Sequence, residues 1–190
     1  MIIEDSYMDS GFRTVICSGQ KRGVSGMVHA KDVLDNQLLS NANDPSWHLP
    51  FLQAVEAVTE EEAFWKPGPD MSSIAELTQH LLYWNETWQI RYREGRVDAV
   101  PSIGDNNRSF VVPAGRTFSD LRRSLLQTLL QWQDLLSEQG LEAEVNGFPE
   151  PAQWWEIISN AATHNAYHIG QLVLIHKLYR TAQRAVSAEE

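Results

Sequence analysis

Two histidines in the last apolar segment of the chain have the spacing of a metal-binding pair. His164 and His168 are four residues apart, and on a helix their Cβ atoms would lie about 5–6 Å from each other on one face. Two imidazoles in that arrangement can bind a single cation. The same spacing arises by chance, and a buried histidine commonly hydrogen-bonds to a carbonyl or hydroxyl group, so the pair alone does not establish a metal site.

The segment that carries this pair has the period of a buried helix. Between positions 154 and 178, residues recur at steps of three and four, which places them on one helical stripe. The stripe consists of Trp154, Ile157, Ala161, His164, His168, Gln171, Ile175 and Leu178. Polar groups on a core-facing stripe are costly unless a partner satisfies them, and a metal ion would do so. Gln171 is a candidate for orienting a ligand or contacting a substrate, with packing as the alternative.

A third histidine lies on another predicted helix. The capping box formed by Ser73 and Glu76 begins this helix and Gly95 ends it. His80 lies beside its apolar stripe, so it can complete a three-histidine site if this helix packs against the last one. Trp84, one turn after His80, is a candidate for the wall of a substrate pocket, and ordinary packing is the alternative.

The remaining apolar patterns predict an all-α four-helix bundle. A broken helix over 31–58 and a helix over 117–140 join the two described above, and no segment has the pattern of a strand. The long link over 96–116 permits a crossover connection, and it could cover a site or be slack. We expect a flexible leader over 1–28, one domain over 29–182 and a frayed tail over 183–190.

Composition and charge exclude several classes of partner. The formal net charge is −10, with 25 acidic and 15 basic residues, which disfavours nucleic acid and anionic membranes. No segment has the length and apolarity of a transmembrane helix, and the first residues lack the pattern of a signal peptide. The single cysteine, Cys17, rules out an internal disulfide and suits a reducing compartment. We therefore expect a cytoplasmic protein.

Several motifs together resemble the DinB/YfiT-like superfamily of four-helix-bundle metalloenzymes. They are Trp47-His48 followed by Pro50, the run from Glu61 to Pro67, the run from Ser73 to Leu77 with His80 and Trp84, and the run from His164 to Gln171. The resemblance implies that His80, His164 and His168 are the three ligands of a divalent metal ion, zinc or nickel. Relatives often carry Asp where this chain has Asn165, so a proton-transfer role at that position is not expected.

The ligand set predicts an open site. Three imidazoles leave a coordination position free, whereas a structural site is usually closed by four protein ligands. No glutamate lies between His164 and His168, so the base of the His-Glu-x-x-His hydrolases is missing. A thiol needs that base less, because metal coordination deprotonates it. Since the resemblance includes thiol-dependent S-transferases and a mycothiol-dependent isomerase, we expect one of these activities, with a small-molecule thiol and an electrophilic substrate as partners.

Two other functions stay open. One is a metal-dependent hydrolase on the same site. The other is a non-enzymatic, metal-stabilised stress-response or binding protein whose histidines only join helices. We also expect a homodimer, since such bundles often pair through an exposed apolar face. The remaining histidines, His29, His48 and His176, are expected at the surface, or in a capping role for His48.

Overall fold

The computed structural model describes residues 27–187, and these residues form an all-α four-helix bundle. Within this range the helices are α1 (Ala30–Ala42), α2 (Phe51–Ala54), α3 (Glu60–Phe64), α4 (Ile74–Glu94), α5 (Phe118–Leu135), α6 (Glu138–Glu142) and α7 (Trp154–Ser187). The four long helices α1, α4, α5 and α7 build the bundle, and no strand forms between residues 27 and 187. The predicted fold class is confirmed. None of the helices in this range has the combined length and apolarity that a membrane span requires.

Local sequence signals set the ends of α4, the helix that carries His80. The Ser73 hydroxyl accepts a hydrogen bond from the Glu76 backbone N–H at 3.2 Å, and the Glu76 carboxylate accepts one from the Ser73 N–H at 2.8 Å. This capping box satisfies two N–H groups that the first turn of a helix leaves unpaired. Gly95 ends the helix in the left-handed region, with φ of 69°, where a side chain would be strained.

The link between α4 and α5 is a crossover connection. The first turns of both helices share one core cluster, through Ile74 and Phe118, and their last turns share the other, through Tyr92 and Trp132. Helices α4 and α5 therefore run in the same direction. The intervening residues return the chain along the length of the bundle, and they include two short 3-10 helices, Val97–Ala99 and Asn106–Phe110.

The packing order places α4 next to α7. Helix α1 packs against α5 and α7, and α4 packs against the same two helices, so α1 and α4 occupy opposite corners of the bundle. Helices α4 and α7 are antiparallel, because Tyr92 near the end of α4 contacts Trp154 at the start of α7. His80, earlier in α4, consequently meets the middle of α7.

Two helix ends differ from the sequence prediction. Helix α5 ends at Leu135 and α6 begins after Ser137, whereas one helix to position 140 was predicted. The Ser137 hydroxyl accepts a hydrogen bond from the Gly140 backbone N–H and caps α6. A Cβ atom at Gly140 would clash with the Tyr92 hydroxyl, so this glycine allows α6 to pack against the end of α4. The second half of the predicted broken helix is a single turn, α2.

The two predicted chain ends lie mostly outside the described residues. Positions 1–26 of the leader and positions 188–190 of the tail are not described. Helix α7 continues to Ser187, five residues past the position at which we expected the domain to end. The last residues of α7 are mainly good helix formers, without glycine or proline, which explains the extension.

Replacement of a core leucine on α5 should destabilise the fold. Leu125 is fully buried in the core cluster between α4 and α5. We expect Leu125→Ala to lower the free energy of unfolding by about 2–5 kcal/mol, because it removes apolar contacts and leaves a cavity. Leu49→Ala is the control, since that residue is 44% exposed, and it should change stability by less than about 0.5 kcal/mol. Urea denaturation followed by circular dichroism measures both; equal losses would contradict the assigned core.

Candidate metal centre

Three imidazole rings converge between α4 and α7. The Nε2 atom of His80 lies 3.1 Å from His164 Nε2, and His168 Nε2 lies 3.0 Å from the same atom. Their potential ligand atoms all fall within 4.8 Å of one another. His80 and His168 are buried and His164 is partly buried. The structure therefore brings together the three residues that the sequence analysis proposed as ligands.

Hydrogen bonds on the far side of two rings decide which nitrogen carries the proton. His168 Nδ1 lies 2.6 Å from the Gln171 carboxamide oxygen, which can only accept, so the proton is on Nδ1. His80 Nδ1 lies 2.6 Å from the Ser109 hydroxyl. That hydroxyl donates its own hydrogen to the Asn106 carbonyl at 2.5 Å, so it accepts from His80. In both neutral rings the lone pair is consequently on Nε2, which points toward the third histidine.

This arrangement fits a metal ion, because without one a nitrogen lone pair has no hydrogen-bond donor. The lone pairs of His80 and His168 both face His164 Nε2, which can carry at most one proton in the neutral ring, so a proton satisfies only one of them. A cation between the three nitrogens would accept all three lone pairs. Zinc–nitrogen bonds of about 2.0–2.1 Å imply N···N separations of about 3.3 Å. The two separations from His164 Nε2, 3.1 and 3.0 Å, are close to this value, and the third lies within 4.8 Å. Imidazole ligands alone do not select the metal.

Burial keeps these rings neutral. Desolvation lowers the pKa of His80 to about 3, and the neighbouring His168 and His164 add a smaller effect in the same direction. Desolvation, together with His168, lowers the pKa of His164 to about 4. Desolvation also lowers the pKa of His168, although the hydrogen bond that its ring donates to Gln171 acts in the opposite direction. At neutral pH the rings are therefore in the deprotonated form that binds metal.

The crossover link holds His80 in place. Phe110 stacks on the His80 ring, with centroids 4.0 Å apart and planes inclined by 14°. Ser109, which is 1% exposed, accepts the hydrogen bond from the same ring. Trp84 Nε1 donates to the Asn106 side-chain oxygen at 3.1 Å, which ties the link to α4. Ser109 and Phe110 were not predicted from the sequence. Apart from the turn residues near position 105, the link has no periodic pattern that would indicate which surface of the bundle it covers.

A cavity of about 480 Å³ opens beside the three rings. Aromatic side chains form much of its wall, and they come from α4, from the crossover link and from the loop before α7. They are Trp84, Trp88, Phe110 and Phe148. Because the three histidines also line this cavity, an outside molecule could approach the nitrogens from it. The arrangement has the features of a small-molecule site, a concave apolar space with a few convergent polar groups.

Two carboxamides close the inner side of the cavity. Asn85 on α4 donates to the Asn165 side-chain oxygen at 2.8 Å, and Asn165 donates back at 3.1 Å. Trp132 Nε1 adds a hydrogen bond to the Asn85 oxygen at 2.9 Å. A carboxamide has no basic site near neutral pH, so this buried pair joins helices and cannot serve as a general base.

The remaining sequence-predicted residues have distinct positions. Trp84 lines the cavity, and Gln171 contacts His168 while donating to the Tyr167 hydroxyl at 3.2 Å. His48 is exposed and hydrogen-bonds to Asn41 at 3.0 Å, away from the three rings. His29 is partly buried and caps α1.

The surface position that we expected for His176 is wrong. Its side chain is only 16% exposed, and its Nδ1 atom lies 3.0 Å from the buried carboxylate of Glu62 on α3. The short helix α3 covers this part of α7, which periodicity within α7 alone could not reveal.

Removal of the Ser109 hydroxyl should weaken metal binding. In Ser109→Ala, the His80 ring loses the acceptor that fixes its proton on Nδ1, and we expect metal affinity to fall about 10–100-fold. Ser119→Ala is the control, because Ser119 is exposed at the start of α5. Competition with a chromophoric chelator measures both affinities. Equal affinity in Ser109→Ala and the wild type would contradict this role of the crossover link.

The metal-free protein should lose stability in mild acid. The pKa values of His80 and His164 fall from 6.5 to about 3 and about 4 in the folded chain, so the unfolded chain binds more protons between these values. This contribution is complete above about pH 6.5 and is lost as the pH falls toward the folded values.

Denaturation of chelator-treated protein between about pH 7.5 and about pH 5 tests whether the free energy of unfolding falls as the pH falls. His80→Gln isolates the effect from other titrating groups, because it removes one of the shifted histidines. We expect the wild type to lose more stability than His80→Gln over this range. An identical or opposite pH dependence would contradict neutral burial of the ring.

Two solved structures of other proteins are similar to this fold. A DinB-like protein of Bacillus subtilis, YjoA, has a similar structure, with a TM-score of 0.59 and 16% identity over 76% of this chain and 90% of that chain. YfiT from Bacillus subtilis is also similar, with a TM-score of 0.62 and 15% identity over 84% of this chain and 93% of that chain. YfiT is described as a probable metal-dependent hydrolase with an unusual four-helix bundle topology.

At these identities the two structures support the fold alone. A search of curated proteins found no match. Residues 50–172 match the sequence profile of the DinB superfamily, and this range includes α4 with His80, the crossover link, and His164 and His168 of α7. The chain therefore belongs to the DinB superfamily.

Proposed function

We propose that this protein is a divalent-metal-dependent enzyme that uses a low-molecular-weight thiol to transfer sulfur to, or to isomerise, an electrophilic substrate. The observation that carries the proposal is the convergence of three Nε2 atoms at the wall of a cavity. Three protein ligands leave a coordination position for an outside molecule, as catalytic zinc sites do.

The proposed chemistry requires little of the protein beyond positioning. Zinc or nickel in this site would act as a Lewis acid and lower the pKa of a coordinated thiol. In the transfer reaction, the thiol proton goes to solvent, a carbon–sulfur bond forms, and the bond to the leaving group breaks with its electron pair. In the isomerisation, the thiol adds to the substrate and is later expelled, so it is regenerated.

The polar residues of the cavity favour a thiol over water as the nucleophile. Activation of water usually benefits from a general base, and none of the described residues that line the cavity carries a carboxylate. Asn165, the polar residue between the two α7 histidines, is already hydrogen-bonded to Asn85. A thiol has a much lower pKa than water and can ionise without a base.

Hydrolysis is the second candidate, and the description of YfiT as a probable metal-dependent hydrolase favours it. The two activities differ in one requirement, because a hydrolase would turn over without added thiol. A third possibility is a non-enzymatic protein stabilised by its metal. In that case chelation would lower the melting temperature and no turnover would be found, although the cavity beside the histidines would then have no role.

We further propose a cytoplasmic homodimer with small-molecule partners and no role in nucleic acid binding. The single cysteine supports a cytoplasmic location. The net charge of −10 disfavours nucleic acid binding. Exposed apolar side chains on α7 support association, since Tyr167 is 63% exposed and Leu174 is 53% exposed.

Turnover should require both thiol and an intact histidine cluster. We expect one of two activities from the zinc- or nickel-loaded wild type. It should consume a small thiol in the presence of an alkyl or aryl halide, measured by loss of free thiol, or catalyse the thiol-dependent cis–trans isomerisation of an electron-poor alkene, measured by the alkene's absorbance. His80→Ala and His164→Ala should lose metal in elemental analysis, and activity should fall at least about 100-fold. His48→Ala, at an exposed position outside the cavity, should retain both.

Three outcomes of this experiment would count against the proposal. Equal metal content in the wild type and both cluster variants would reject the metal site. Ester or amide cleavage without thiol would favour the hydrolase. A loss of thermal stability on chelation, with no turnover under either condition, would favour the non-enzymatic protein.

A further inference from the structure

We infer that the cavity beside the three histidines binds an uncharged aromatic group of the electrophilic substrate. This inference rests on the proposed function in one respect, because the bound molecule is a substrate only if the protein is an enzyme. The binding preference itself follows from the cavity wall, and it can be measured without metal or turnover.

Flat apolar surfaces dominate the wall. Trp84 and Trp88 lie one turn apart on α4, Phe110 follows from the crossover link, and Phe148 comes from the loop before α7. Aromatic side chains gain from stacking or edge contacts with another ring, in addition to the general gain from burying apolar area. Phe148 is 36% exposed, which leaves it available to contact a ligand.

The polar groups of the wall are uncharged. Apart from the histidines, they are the carboxamides of Asn85, Asn106, Asn160 and Asn165. Among residues 27–187, no aspartate, glutamate, lysine or arginine lines the cavity, although 21% of the whole chain is charged. A charged ligand group would lose hydration here and meet no opposite charge, which is costly.

Most of this polar capacity is already engaged. The Trp84 indole N–H donates to Asn106, so the tryptophan offers its ring face to a ligand. Asn85 and Asn165 bond to each other. Directional recognition of a strongly polar or charged group is therefore weak, and the free Asn160 carboxamide can accept or donate a single neutral hydrogen bond.

Arg91, three residues after Trp88, does not add a charge to this wall. Arg91 does not line the cavity; its guanidinium lies 4.7 Å from the centre of the Trp88 ring and donates to the Val100 carbonyl at 2.9 Å. It is 7% exposed. Its contacts order the Trp88 indole, so the cation supports the aromatic wall and is not presented to a ligand.

The volume suits one ring system with room for a thiol. About 480 Å³ lies within the range of small-molecule sites. An aromatic group packed between the tryptophans and Phe148 would leave the side next to the histidines for the reacting carbon and sulfur. The inferred substrate class is therefore a neutral, ring-bearing electrophile.

Three probes that share a naphthalene ring and differ in charge test the inference. They are naphthalen-2-ylmethanol, naphthalen-2-ylmethylammonium and naphthalene-2-carboxylate. Calorimetry with metal-free wild type at about pH 8, where the three histidines are neutral, should show the alcohol binding at least about tenfold more tightly than either ion. Equal or tighter binding of either ion, or no binding of the alcohol, would overturn the inference.

Variants place the binding in this cavity. Trp88→Ala and Phe148→Ala should each weaken alcohol binding by about tenfold. Trp47→Ala should leave it unchanged, because that side chain is 96% exposed and does not line the cavity. If Trp88→Ala does not fold, Phe148→Ala in an exposed loop tests the same wall. Unchanged binding in a folded variant of either wall position would overturn the inference.

A charge-introducing variant tests the reason for the preference. Asn160 is exposed on α7 and lines the cavity, so Asn160→Arg adds a cation to the wall with little effect on the core. This variant should bind the carboxylate probe at least about tenfold more tightly than the wild type does. No gain for the carboxylate would overturn the charge argument. None of these assays contains metal or thiol. The alcohol can therefore bind as inferred even if no thiol-dependent turnover is found, and turnover can be found even if the alcohol does not bind.

Discussion

The antiparallel packing of α4 against α7 is the constraint on which the site depends. It brings His80 within hydrogen-bond distance of His164, although 84 residues separate them in the chain. The reciprocal hydrogen bonds between Asn85 and Asn165 hold the same two helices. A slip of one helical turn, about 5.4 Å, would separate the imidazoles and leave buried carboxamides without partners. The buried amide pair therefore helps to hold α4 and α7 in the register at which the histidines meet.

The crossover link has two roles that share one geometry. Because α4 and α5 are parallel, the chain must return along the bundle between them, and its path passes over the outer side of the His80 ring. Ser109 and Phe110 then orient that ring by a hydrogen bond and a stacking contact. A long connection without regular structure usually has a function or is mobile. Here its contacts make it a supporting shell for one candidate metal ligand.

The interior around the cluster is neutral, in contrast to the acidic surface of the chain. Burial keeps the histidines unprotonated near pH 7, which prepares their lone pairs for a cation. The described part of the chain lines the cavity beside them with aromatic, aliphatic and carboxamide side chains and contributes no charged one. A bound divalent ion would consequently be the dominant local charge, and its field would act on the reacting atoms with little competition from the protein. Both the proposed thiol chemistry and the inferred neutral substrate follow from this charge distribution.

Features that depend on local spacing could be predicted from the order of the amino acids. Capping boxes and glycine stops bounded α4, and steps of three and four residues placed His164 and His168 on one helical face, because these patterns reflect interactions within a few residues. The all-α class followed from the same periodicity. The position of His80 on its helix suggested the grouping with the other two histidines, and the DinB/YfiT resemblance supported it.

Features that depend on contacts between distant segments could not be predicted and are seen in the folded structure. It established the parallel course of α4 and α5, the support of His80 by Ser109 and Phe110, and the burial of His176 against Glu62. It also decided that Phe148 joins the cavity wall. An aperiodic loop contains no local signal for the surface that it covers, since that surface is created only when the helices pack.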